Sequence, residues 1–99
     1  MSGVAFVTTR FVPAERVDDY LAWSHRLETD LQRQPGFVAV EQIPAVSGGQ
    51  AFWTQIVRFQ DDATAVAWRD SGRLGDRLAE IAPYTNDFEV STVALGDND

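Results

Sequence analysis

Read with a period of two, residues 52–59 have two unlike faces, and the rest of the chain is organised around this stretch. Trp53, Gln55, Val57 and Phe59 share one side; Phe52, Thr54, Ile56 and Arg58 share the other. Neither side is polar enough to lie in water, so the pattern reads as a central strand covered on both faces. Gln55 and Arg58 each need a partner if buried. Such a strand makes a natural pocket floor.

The same alternation predicts three more strands. Residues 4–12 place Val4, Phe6, Thr8, Arg10 and Val12 on one side, and Ala5, Val7, Thr9 and Phe11 on the other, until Pro13 ends the run. In residues 37–46, Phe37, Ala39, Glu41 and Ile43 face one way, and Val38, Val40 and Gln42 the other. Pro44 puts the end of this strand at an edge or bulge. The turn Ser47-Gly48-Gly49-Gln50 joins it to the central strand as a hairpin. Residues 88–95 form the last strand, and the acidic tail 96–99 is expected to fray.

Between strands the period changes to 3.6. A helix opens at Pro13 or Ala14 and runs to about Arg33, with Glu15, Asp18 and Asp19 at its positive end. Its apolar stripe is Val17, Tyr20, Leu21, Leu27 and Leu31, with Trp23 on the shoulder. Ser24 and Glu28 fall inside that stripe, whereas Arg26, Asp30 and Arg33 point away. Pro35-Gly36 stops the helix. Asp61 or Asp62 caps a second helix, with Thr64, Ala67, Trp68, Ser71, Leu74, Leu78 and Ile81 on one side. Gly72 and Gly75 weaken it, which predicts a break near Ser71-Gly72. Residues 83–86 form a loop.

The resulting order is β-α-β-β-α-β, the ferredoxin-like unit: an α+β fold with a four-stranded antiparallel sheet and two helices on one face. The sheet's second face is also apolar, which calls for a partner. A homodimer packed sheet to sheet is the simplest one.

Composition narrows the function classes. The 99 residues make one domain, 1–99, with an ordered core of about 4–95, and 44% are hydrophobic. The formal charge is −7, and all eight basic residues are arginine. A net-acidic surface disfavours nucleic acid and anionic membranes as partners. The absence of cysteine excludes disulfides, thiol catalysis and thiolate metal sites. No membrane-span or signal-peptide pattern is visible, so a cytoplasmic location is the expectation. Neither a phosphate loop, a metal-ligand cluster nor a nucleophile triad can be read, so no cofactor or metal is expected.

Pro35-Gly36-Phe37 followed by Val40-Glu41, then Phe52-Trp53 with Val57-Arg58-Phe59, then Ala67-Trp68-Arg69-Asp70-Ser71 and Leu78-Ala79-Glu80 carry a family likeness. In order and spacing they resemble the antibiotic biosynthesis monooxygenase domain of the dimeric α/β-barrel superfamily. The likeness implies a cavity in each protomer between sheet and helices. It also implies oxygenase chemistry on an aromatic, polyketide-like molecule without metal or flavin, in which the ionised substrate supplies the electrons. A cyclase or isomerase on the same fold, and a non-catalytic small-molecule-binding dimer, are the alternatives. The haem-degrading branch of the superfamily is disfavoured. Its asparagine, tryptophan and histidine neighbourhoods hold Thr8-Thr9, Phe59 and Leu78, and no histidine follows His25.

Three residues are candidates for the chemistry. His25 has the side chain best suited to act as a base near neutral pH. Its alternative is an ordinary surface histidine. Glu28, inside the stripe, would act as a base with a raised pKa, or else pair with Arg58 or Arg10 or reach out to solvent. Arg58 would stabilise a phenolate or enolate, or else pair with Glu41 or Glu89 at a dimer interface. Tyr20, Trp23, Ser24, Trp53, Trp68 and Tyr84 are candidate substrate contacts, the aromatic ones being walls for a planar ligand or plain core.

Overall fold

A computed structural model describes residues 3–95, apart from the side chains of 87–89 and 94–95. The acidic tail 96–99 lies outside the described residues. In chain order the elements are β1 (Gly3–Phe11), a single 3-10 turn (Ala14–Arg16), α1 (Val17–Gln32), β2 (Phe37–Ser47), β3 (Gln50–Phe59), α2 (Asp62–Arg69), α3 (Gly72–Ile81) and β4 (Asn86–Leu95). The sheet order is β2-β3-β1-β4, and every neighbouring pair is antiparallel. The fold is the α+β ferredoxin-like unit, here βαββααβ.

The expected break in the second helix is present, and capping chemistry makes it. Ser71 Oγ donates to the Trp68 carbonyl at 2.7 Å and accepts from Leu74 N at 3.3 Å, so one side chain closes α2 and opens α3. At the start of α2, Asp61 accepts from Thr64 N and Thr64 Oγ1, both at 2.8 Å. Those bonds hold its carboxyl below the ordinary aspartate range. The strand β4 begins at Asn86, two residues earlier than expected.

Alternation sorts the sheet into two faces. The inner face carries Val4, Phe6, Thr8 and Arg10 of β1 and Trp53, Gln55, Val57 and Phe59 of β3. Helices cover it. Val12, Tyr20, Trp23, Leu31, Phe59 and Ile81 are the largest fully buried side chains. On the outer face stand Val7, Thr9 and Phe11 beside Ile56, Thr54 and Phe52. Phe11 and Phe52 meet edge to face at 5.9 Å, and the hydroxyls of Thr9 and Thr54 bond at 3.0 Å.

Expectations of side change in three elements. In β2 the register shifts between Phe37 and Ala39, so Phe37 turns inward onto Phe59 at 6.2 Å and Val38 is left exposed. In α1 the buried arc is Tyr20, Trp23, Leu27, Asp30 and Leu31, so Trp23 lies within it rather than on its shoulder. Glu28 sits one helical step, about 100°, beyond Leu27 and is exposed, as is Leu21. Asp30, expected to point away, is buried because α3 supplies its counter-charges. Arg77 Nε is 2.5 Å from Asp30 Oδ2, and Arg73 lies at 3.6 Å. In α2, Ala65 takes the buried place expected of Ala67.

Candidate functional site

Between the inner sheet face and the helices lies a cavity of about 170 Å³. Its floor is Phe6, Thr8 and Arg10 of β1 with Gln55 and Val57 of β3. Leu27, Trp68 and Leu74 cover it from the three helices. The rim is Arg69 and the β4 residues Val90, Ser91 and Thr92, all exposed, so the mouth opens between α2 and the edge strand β4.

Strand register explains how the polar part of the floor forms. Thr8 stands opposite Gln55 and Arg10 opposite Trp53, so Arg10 and Gln55 are diagonal neighbours on one face. Both are buried, at 3% and 4% exposure. Arg10 Nη1 donates to Gln55 Oε1 at 2.7 Å. The guanidinium also lies over the Trp23 ring, 5.4 Å from its centre. Gln55 Nε2 is buried and has no hydrogen-bond partner. The bond from Arg10 fixes the amide orientation, since a flipped amide would turn a donor toward the guanidinium.

Beside the cavity stands an aromatic stack. Tyr20 lies 5.4 Å from Trp23 and 5.7 Å from Trp53, ring centre to ring centre. The Tyr20 hydroxyl donates to Gln42 Oε1 at 3.1 Å, and Gln42 Nε2 donates to Ser24 Oγ at 3.4 Å. Ser24 in turn donates to the Tyr20 carbonyl at 3.0 Å. Trp23 Nε1 donates to the Arg77 carbonyl at 2.7 Å, tying α1 to α3. Trp53 Nε1 is the second buried donor without a partner.

The candidates therefore separate. Trp68 lines the cavity directly. Tyr20, Trp23, Ser24 and Trp53 form the adjoining stack and its hydrogen bonds. Tyr84 is elsewhere, half-buried beneath the Arg16 guanidinium at 4.2 Å, with burial raising its hydroxyl pKa. Arg58 is on the outer face, ion-paired with Glu41. His25 and Glu28 are on the exposed side of α1. None of the floor residues was put forward as a site residue, and Arg10 and Gln55 are the buried polar pair among them. Their signal in the sequence was a long polar side chain on a mostly apolar strand face.

Among the described lining residues the charged groups are Arg10 and Arg69, and none is a carboxylate, imidazole or phenol. Among all the described residues, no three His, Asp or Glu side chains group as metal ligands. A larger surface groove of about 270 Å³, lined by Leu78, Ile81, Ala82, Thr85 and Asn86, has poorer chemistry. Its buried hydroxyl, on Thr85, is already bonded to the Ile81 carbonyl at 2.9 Å. No helix among the described residues is long and apolar enough to cross a membrane.

The fold is similar to that of solved structures that include a cofactor-independent oxygenase and proteins assigned as antibiotic biosynthesis monooxygenases. SnoaB, a cofactor-independent oxygenase from Streptomyces nogalater, superimposes with a TM-score of 0.75 at 14% identity, over 100% of this chain and 96% of that one. A provisionally assigned antibiotic biosynthesis monooxygenase from Deinococcus radiodurans gives 0.77 at 7% identity, over 97% and 93%. Rv0793 from Mycobacterium tuberculosis gives 0.67 at 18% identity, over 98% and 96%. No family model matches the sequence, and no curated protein matches it.

Proposed function

We propose that the chain is a small cofactor-independent monooxygenase-like enzyme acting on an aromatic or polyketide-like molecule, and that it works as a homodimer. The observation that carries this reading is the cavity itself, an apolar chamber whose buried polar floor is the Arg10–Gln55 pair. Hydrogen-bond donors fixed in a water-poor site favour negative charge developing on a bound oxygen. An ionised substrate held there would supply the electrons to dioxygen itself. In this reading Trp68, Leu27 and Leu74 hold the flat part of the molecule, and the Tyr20–Trp23–Trp53 stack supports the wall behind Arg10. The sharing of fold with SnoaB adds to it.

The dimer reading rests on the outer sheet face. There Val7, Phe11, Phe52 and Ile56 form an apolar surface flanked by Ile43 and Val93, which are 45% and 42% exposed. A second copy related by a twofold axis would cover it, with the Arg58–Glu41 pair near the seam.

The test is oxygen consumption by purified, metal-free protein across a panel of phenols and anthrone-type substrates, repeated with Gln55→Leu. Uptake that falls with the substitution supports the reading, and no uptake on any substrate counts against it. A non-catalytic binder is the second reading. It is favoured by the lack, among the described lining residues, of a group able to take a proton.

A further inference from the structure

The cover of the cavity is uneven in strength, and its weak part is the front half of α3. The strong ties of this helix lie in its second half. Trp23 Nε1 donates to the Arg77 carbonyl at 2.7 Å, Arg77 pairs with Asp30, and Glu80 meets Arg26 at 3.3 Å. Ile81 is fully buried, and its carbonyl accepts from Thr85 N at 3.0 Å. The first half has Leu74, half-buried against the cavity, and Arg73, which is 60% exposed and 3.6 Å from Asp30. An ion pair so open to solvent contributes little.

Local sequence weakens the same half. Gly72 and Gly75 each weaken a helix about fivefold relative to alanine. Neither position asks for glycine: an added Cβ would meet nothing within 4 Å, and neither residue has a positive φ. No acidic residue stands in the first turn, and Arg73 there opposes the positive end of the helix. The neighbouring cover, α2, is built the other way. Asp61 caps it with two bonds, Asp62 stands in its first turn and Arg69 in its last. Between the two helices Ser71 is extended, with φ −73° and ψ 141°, which gives the chain a pivot.

We infer that residues 72–76 form a flap that opens the cavity by local unfolding, turning at Ser71 and stopping at the Arg77–Asp30 clamp. Leu74 leaves the lining when the flap opens, and the mouth beside Arg69 and β4 widens. The two glycines set how often this happens, and the clamp keeps the rest of α3 folded meanwhile. The inference rests on reading the cavity as a ligand site, whose entry the flap governs.

Two measurements test it, and neither needs a ligand or turnover. Amide hydrogen exchange, expressed as protection over the unfolded chain, compares the two halves of α3. Asp76 and Arg77 bond back to Gly72 and Arg73, whereas Ala82 and Thr85 bond to Leu78 and Ile81, both at 3.0 Å. The first two amides should be at least roughly tenfold less protected than the second two. Gly72→Ala combined with Gly75→Ala should raise their protection about twentyfold. Entry is read by cysteine labelling, since the chain has no cysteine of its own. Leu27→Cys, 2% exposed in the lining, should react with methyl methanethiolsulfonate at least roughly tenfold faster than Leu31→Cys, which is fully buried outside it. The double alanine change should slow the Leu27→Cys reaction about twentyfold. Val57→Cys, also in the lining, replaces Leu27→Cys if that variant fails to fold. Equal protection along α3, equal labelling of the two cysteines, or protection and labelling unchanged by the alanines would overturn the inference. Oxygen uptake is read separately, so its absence bears on the enzyme reading alone.

Discussion

Replacing Asp30 by asparagine isolates the interaction that holds α3 over the cavity. Asp30 is 6% exposed and accepts from Arg77 Nε at 2.5 Å, with Arg73 at 3.6 Å. The hydrogen bond and charge of Arg77 hold its carboxyl below the ordinary aspartate range, against a smaller opposing effect of burial. Removing one partner of a buried ion pair costs about 3–5 kcal/mol. Here the cost is smaller, because Arg77 is 21% exposed and keeps Glu80 at 3.1 Å. A charge-assisted hydrogen bond is worth about 1.5–3 kcal/mol, so about 2 kcal/mol is expected for Asp30→Asn at neutral pH. For a domain of this size that lowers Tm by roughly 8–16 °C.

The pH dependence gives the stricter check. A folded pKa below the unfolded one means that the pair's contribution is complete above the unfolded value and disappears as pH falls through the folded one. Thermal melts followed by circular dichroism, at fixed protomer concentration, should show a wide gap between wild type and variant near neutrality. The gap should close below the ordinary carboxylate range, where wild-type Asp30 is itself neutral. A gap equally wide at about pH 2, or under about 0.5 kcal/mol at neutral pH, would refute the ion-pair argument.

Other substitutions probe the turn, the sheet face and the outer arc of α1. Gly36 has φ +78°, and an added Cβ would lie 2.3 Å from Thr64 Oγ1, so Gly36→Ala should cost at least about 2 kcal/mol in urea unfolding. Ile56→Asp places a charge in the middle of the outer face, and light scattering should show the proposed dimer's mass halved; a mass equal to that of the wild type would refute a dimer built through this face. His25→Ala and Glu28→Gln should each leave turnover on any substrate found within about twofold of wild type, since both side chains are exposed. A tenfold loss in either would return it to the chemistry.

What could be read from the sequence follows from how far each signal reaches along the chain. Alternation in residues 52–59 is local, and it placed Gln55 and Arg58 on opposite faces before any pairing was known. The break at Ser71 is local too, because a serine cap and the following glycine act over three residues. The stripe of α1 was drawn too close to Val17 and Leu21, because apolar residues at a helix's start weigh on a count as heavily as those beneath its centre. Asp30 shows the opposite case, a carboxylate that is buried only because Arg77, 47 residues on, returns to meet it. One extra residue at Val38 was enough to reverse the side of Phe37. The site combines both kinds of signal. That a strand face carrying Phe6 and Thr8 also carries Arg10 is a local oddity, and so is Gln55 between Trp53 and Val57. That the two meet depends on an antiparallel register closing over 45 residues, and that register leaves the glutamine with a donor to offer and the arginine fixing its direction. A polar residue on a buried strand face thus marks a place that needs an explanation, while the cross-strand pairing determines which of its atoms is left without a partner.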